Sequence, residues 1–331
     1  MEPETKKHHS ERTYPLPIAI ILATAMLSAA WLYTSKLSPE KKAAQIAQTA
    51  SVSEVAPLSP EEETVLPSSG IELPVTWGDL GAKLSSVGVI DAKRFEQLYS
   101  ERGEYSEAYK KLLYENNPEK LRMTASNAGY LLNLFWALGL ASKNPILDSG
   151  EMQDPRYGGA GGFASTGGWT MAVGNGMDHY SRHIFFTLTK QQQALVEKVS
   201  GGIYRPCCGN SVHFPDCNHG MAMLGLLELM ASQGVSEQDM WKTALEVNSY
   251  WFPDTYLTIA TYMKNKGVEW KDVDPQEMLG ANYSSAQGYA RIASQVTAPA
   301  SSGSEGGSGC AVGGPALIPS PAKQGGGGCG I

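Results

Sequence analysis

Residues 129–136 read Gly-Tyr-Leu-Leu-Asn-Leu-Phe-Trp, and the apolar character continues through Ala137-Leu138-Gly139-Leu140-Ala141. Within the span Leu121 to Ala141 this run is short for a membrane crossing, which needs about 20 apolar residues. It reads instead as the central core helix of a folded body. The neighbouring segments carry helix signals of their own. Asp91 is placed to cap a helix, with Ile90 and Phe95 as a hydrophobic staple across it. Thr189-Lys190-Gln191-Gln192 is a capping box opening a helix that stops near Gly201. Ser236-Glu237-Gln238-Asp239 opens another, with Met240, Ala244, Val247 and Trp251 on one face. Pro253-Asp254 starts the next, which Lys264, Lys266 and Gly267 close. Period-2 strand patterns are scarce. The expectation is an all-α domain over 76–296, long enough to bury a substantial core.

Composition limits what that domain can be. The chain has 331 residues and a formal charge of −7, with no Lys/Arg cluster longer than a pair. It therefore lacks the basic footprint of a nucleic-acid binder. Five cysteines, placed late in the chain, are too few for a disulfide scaffold. Of 36 glycines, eleven lie beyond residue 296, in a Gly/Ser/Pro stretch 297–331 that cannot pack and is expected to be a disordered tail. Cys329 is third from the end, so the prenylation pattern fails.

The other end speaks for a membrane. From Thr13 to Ser35 no residue is charged, and Ile18-Ala19-Ile20-Ile21-Leu22 leads on to Trp31-Leu32-Tyr33. At about 1.5 Å per residue this spans a ~30 Å hydrocarbon layer. Bulky residues follow the small ones of Ala25 to Ala30, which favours a retained anchor over a cleaved signal peptide. Residues 1–15 are then a cytoplasmic tail and 16–35 a single transmembrane anchor, with the domain extracytoplasmic at the cell membrane. Residues 36–75 are rich in Ser, Pro, Ala and Glu and include Glu61-Glu62-Glu63. They are expected to form a flexible acidic linker.

The chemistry concentrates in one place. All four histidines and all three cysteines of the body fall between 179 and 219: His179, His183, Cys207, Cys208, His213, Cys217 and His219. Imidazole and thiolate are the ligands of zinc, copper and iron. His179 and His183 are four apart, and a helix is the conformation expected to bring them within ~6 Å. Asp178, Asp216 and Asn218 stand beside candidate ligands, where they could orient imidazoles. The segment Cys207 to His219 opens onto an apolar stretch, Gly220 to Ala231, that reads as a buried helix interrupted only by Glu228. Met223, one turn after His219, could add a thioether if the ion is copper. Upstream, Tyr157-Gly158-Gly159-Ala160-Gly161-Gly162-Phe163-Ala164-Ser165-Thr166-Gly167-Gly168-Trp169 forms a Gly-rich loop with no phosphate-binding pattern.

Known spacings do not fit: there is no Cys-x-x-Cys-His, no second half of a Rieske pair, and no His-Glu-x-x-His. The residues support three readings. The first is a metal site, zinc or copper, drawn from those seven side chains. The second is thiol-redox chemistry at Cys217, which sits at a helix N-terminus where the dipole favours the thiolate, with His213 or His219 as base and a thiol-bearing protein as partner. The third is a non-catalytic helical interaction domain whose cysteines form a structural disulfide.

Overall fold

The computed structural model describes residues 58–296. The expected anchor, the first part of the acidic linker and the Gly-rich tail lie outside them. In chain order the elements are α1 (Pro60–Val65), β1 (Ile71–Gly78), α2 (Leu80–Ser86), α3 (Ala92–Glu101), α4 (Glu107–Tyr114) and β2 (Asn117–Met123). Next come α5 (Ala128–Ala141) and α6 (Pro145–Ser149), then a long stretch of isolated 3₁₀ turns. After it follow α7 (Lys190–Gly202), α8 (Asn218–Ser232), α9 (Glu237–Trp251), α10 (Pro253–Asn265), α11 (Pro275–Leu279), α12 (Ala281–Ser284) and α13 (Ala286–Ala293). The domain is mostly helical, and among the described residues no helix is long and apolar enough to cross a membrane.

Local chemistry accounts for the helix starts. The Asp91 carboxylate accepts from the Arg94 N–H at 3.2 Å, and Ile90 and Phe95 are both buried. Thr189 and Gln192 exchange the two hydrogen bonds of a capping box. Ser236 caps α9, and Gly267, at φ +83°, follows the end of α10.

Two boundaries differ from expectation. The fold takes in residues assigned to the linker: Ser59 and Glu62 form a capping box on α1, and Glu61, Glu62 and Glu63 sit in its first turn. There the helix dipole favours negative charge. Immediately after, Ile71, Leu73, Val75 and Trp77 alternate into the core along β1. That alternation is short but strict, and it outweighs the polar composition around it. The second difference is at Leu121. Leu121 and Met123 belong to β2, which pairs antiparallel with β1 as a two-stranded sheet, and the core helix starts at Ala128.

The centre is α5 packed on α8. Both are almost wholly apolar, and past the first turn of α5, where Gly129 is exposed, nearly every residue of the two is buried, as expected of helices at the centre of a core. Each buried Leu contributes about 1.5–3 kcal/mol relative to exposure. The Gly-rich segment wraps this pair and is fastened by tryptophans. Trp136 Nε1 donates to the Ser165 carbonyl at 2.6 Å, and Trp169 Nε1 donates to the Val89 carbonyl at 2.8 Å.

Candidate metal centre

The turn between α7 and α8 runs from Ile203 to Asp216 and is held from several sides. Val212 N–H donates to the Ile203 carbonyl, Tyr204 N–H to the Leu279 carbonyl, and Ala286 N–H to the Cys208 carbonyl. The Gly-rich segment braces it from above. Ser165 N–H donates to the Asp216 carbonyl at 3.1 Å, and Phe214 packs against Tyr157 and Phe163 with ring centroids 5.4 Å apart in each case.

Where this turn meets α8, the Sγ atoms of Cys207, Cys208 and Cys217 all lie within 4.8 Å of one another. Cys207 Sγ and Cys217 Sγ are 3.5 Å apart, beyond the ~2.05 Å of a disulfide. Cys217 is fully buried and occupies the N-cap of α8, while Cys207 and Cys208 are half-buried.

A guanidinium lies against the sulfurs. Arg205 is 1% exposed, and its Nη2 donates to Cys208 Sγ at 3.1 Å, to the Phe214 carbonyl at 3.2 Å and to Asp216 Oδ1 at 2.5 Å. Asn210 Nδ2 donates to the other Asp216 oxygen at 2.8 Å. Gly220, in the first turn of α8, makes room for Arg205: a Cβ there would stand 2.7 Å from its Cζ. Nε and Nη1 have no hydrogen-bond acceptor.

The electrostatics follow from this packing. Hydrogen bonds from Cys207 and Cys208 hold the Cys217 thiol well below its ordinary range, with Arg205 and a hydrogen bond to His219 adding to them. The donors move the other way. The Cys207 thiol is pushed up by its contacts with Cys208 and Cys217 and by burial. At Cys208 the contact with Cys207 lowers, but contact with Cys217 and burial win and push the thiol up to about 11. Burial opposes charge on Arg205, yet Cys217, Cys208 and Asp216 outweigh it and keep the guanidinium charged. Burial also raises Asp216, against the pull of Arg205. The metal-free centre is thus one thiolate bound by two thiols beside a buried cation.

Of the seven candidate ligands, three converge. His219 is a neighbour of Cys217, and its ring lies on Phe252 with centroids 4.4 Å apart. Its Nδ1 is buried without a hydrogen-bond partner. His213 is not in the group: its Nδ1 faces Glu151 Oε1 at 3.9 Å. His179 and His183 form a separate pair, with Nδ1 of one 3.1 Å from Nε2 of the other and rings stacked. The expected helix does not produce that pair. A 3₁₀ turn over Gly176–Asp178 does, followed by Ser181 at φ +49°. The idea that both clusters share one ion is therefore corrected to a three-sulfur group. Asp178 bonds the Asn175 N–H and Asp216 bonds Arg205, so neither orients an imidazole. Met223 is packed in the hydrophobic core.

Arg205 was missed by reasoning from residue types that bind metals. The available signal was a charged residue two positions before the Cys207-Cys208 pair, in a segment leading into a buried helix. No family model matches the chain, nor does any curated protein or solved structure.

Proposed function

We propose that this is a membrane-anchored metal-binding protein whose extracytoplasmic helical domain holds one thiophilic ion, zinc foremost and copper second, on Cys207, Cys208 and Cys217. The observation that supports this is the convergence of three sulfurs within 4.8 Å without a disulfide among them. Zinc–sulfur bonds of about 2.3 Å give tetrahedral sulfur–sulfur edges near ~3.8 Å, close to the 3.5 Å between Cys207 Sγ and Cys217 Sγ. Three thiolates on a divalent ion leave surplus negative charge. The buried guanidinium of Arg205, 3.1 Å from Cys208 Sγ, offsets it. A fourth position is left to His219, which hydrogen-bonds Cys217, or to an exchanging ligand.

The test is elemental analysis of the full-length chain, purified in detergent without a metal-affinity tag. One zinc or copper per chain is expected, falling to background in Cys217→Ser and in Cys208→Ser. Metal-free protein from cells grown with both ions present would refute the reading. The anchor rests on the uncharged stretch Thr13 to Ser35. Protease added to spheroplasts should remove the domain, and protection of the domain would reverse the orientation.

A further inference from the structure

We infer that the same three-sulfur centre carries out thiol–disulfide exchange with low-molecular-weight disulfides, Cys207 taking up the incoming sulfur and Cys217 resolving it. The metal consequence drawn below rests on the metal-binding reading, but the exchange itself does not. Three observations choose the pair. Cys207 Sγ and Cys217 Sγ are in contact at 3.5 Å. Cys208 Sγ is engaged by Arg205 Nη2 at 3.1 Å, with Asp216 Oδ1 and the Asn210 carbonyl each 3.9 Å away, so bridging it means giving up that charge-assisted bond. A Cys207–Cys208 bridge is disfavoured by covalent geometry, because adjacent Cα atoms are about 3.8 Å apart and disulfides span about 4.4–6.8 Å.

Exposure sets the order of events. Cys217 is completely buried and cannot meet an external disulfide, whereas Cys207 is partly exposed. In the first step Cys207 passes its proton to the Cys217 thiolate, whose Sγ is 3.5 Å away, and the resulting Cys207 thiolate attacks one sulfur of R–S–S–R. The Cys207–S–S–R bond forms and R–S⁻ leaves, drawing that proton back from Cys217. In the second step Cys217 thiolate attacks the Cys207 sulfur. The Cys207–Cys217 bond forms and the second R–S⁻ leaves and is protonated. One cysteine thiol and one cysteine thiolate lose two electrons and one proton, and one small disulfide becomes two thiols, the second proton coming from solvent. Oxidation removes two of the three sulfur ligands, so a bound ion is released with it.

The experiment uses the full-length chain in detergent, stripped of metal under reduction and then exposed to oxidised glutathione. Alkylation and peptide mass spectrometry locate the products. A Cys207–Cys217 bridge with alkylated Cys208 and two glutathione thiols per bridge is expected. In Cys217→Ser the reaction should stop at a lasting glutathione adduct on Cys207, and Cys208→Ser should still bridge. A predominant bridge involving Cys208, or a lasting adduct on Cys207 in the unsubstituted protein, overturns the inference whatever the fold of the variants. The same oxidation of zinc-loaded protein should free one zinc per bridge formed, and retention of zinc in bridged protein also overturns it. A chain that never loads zinc or copper defeats the metal reading alone, since the mapping is done on stripped protein.

Discussion

Gly139 of α5 and Gly225 of α8 meet backbone to backbone at the centre of the domain. A Cβ on Gly225 would lie 2.4 Å from the Phe135 carbonyl oxygen and 2.6 Å from Gly139 N, and one on Gly139 would lie 2.1 Å from the Met221 carbonyl oxygen. All of these are backbone atoms, which cannot rotate out of the way. The crossing therefore sets how closely the two apolar helices approach, and α8 carries the Cys217 end of the site. Gly225→Ala is expected to destabilise the domain by about 1–3 kcal/mol through overpacking. Gly129→Ala, at the exposed position in the first turn of α5 with nothing within 4 Å, should instead stabilise by about 0.5–1 kcal/mol. Urea denaturation of the two variants separates close packing from helix propensity.

Arg205 and Asp216 form a buried ion pair beside the sulfurs, at 1% and 13% side-chain exposure. Removing only the carboxylate leaves a guanidinium with no way out to water. Asp216→Ala is expected to cost about 3–5 kcal/mol, and adding Arg205→Met in the same chain should recover part of that loss. Thermal or urea unfolding of the single and double variants tests it. If the single substitution is neutral, the pair does not brace the turn.

Arg205 also helps hold Cys217 as a thiolate. Arg205→Met should move the thiolate absorbance titration of the metal-free protein to higher pH and weaken zinc retention against a chelator competitor. A titration that stays in place would remove Arg205 from the electrostatics of the site.

The histidine pair and the sulfur group are predicted to behave differently. His179→Ala and His183→Ala should leave the metal-to-protein ratio unchanged, because their paired imidazoles are outside the sulfur group. Cys207→Ser should abolish it. Loss of metal in the His179 variant, with the fold intact by circular dichroism, would restore the single-site idea.

Glu228 makes stability depend on pH. It lies 1% exposed in the middle of α8, its Oε1 accepts from Asn144 Nδ2, and Oε2 has no hydrogen-bond partner. Burial raises its carboxyl from 4.5 to about 8. Between those two values the unfolded chain ionises while the folded one keeps its proton. Stability therefore falls as pH rises through that window and levels off above about 8. Glu228→Gln should flatten this slope and add about 2–4 kcal/mol at pH 8, read from urea midpoints at several pH values.

Much of the architecture follows from local sequence. Asp91, Thr189 and Ser236 cap helices because their side chains satisfy N–H groups a few residues away, and α5 and α8 are buried because no face of either is polar. The sheet was hidden because β2 buries only Leu121 and Met123 among exposed neighbours, too few for an alternating signal. Likewise α1 looked like spacer because its helix rests on a capping box and on contacts with residues far along the chain, such as the Lys264 ammonium on the Glu61 carboxylate.

At the site, residue types located the chemistry in 179–219, since thiols and imidazoles are rare enough for their crowding to be visible. Which of them meet was a matter of tertiary structure. Sequence spacing measures distance only along a regular helix or strand, and His179, His183 and the Cys207–Cys217 turn lie in irregular backbone whose path is set by bonds to Leu140, Ala141, Ser200 and Leu279. The partner of the thiolates was decided the same way. Arg205 reaches the sulfurs only because Gly220 has no side chain where α8 begins, a coincidence of two segments that no one-dimensional pattern encodes.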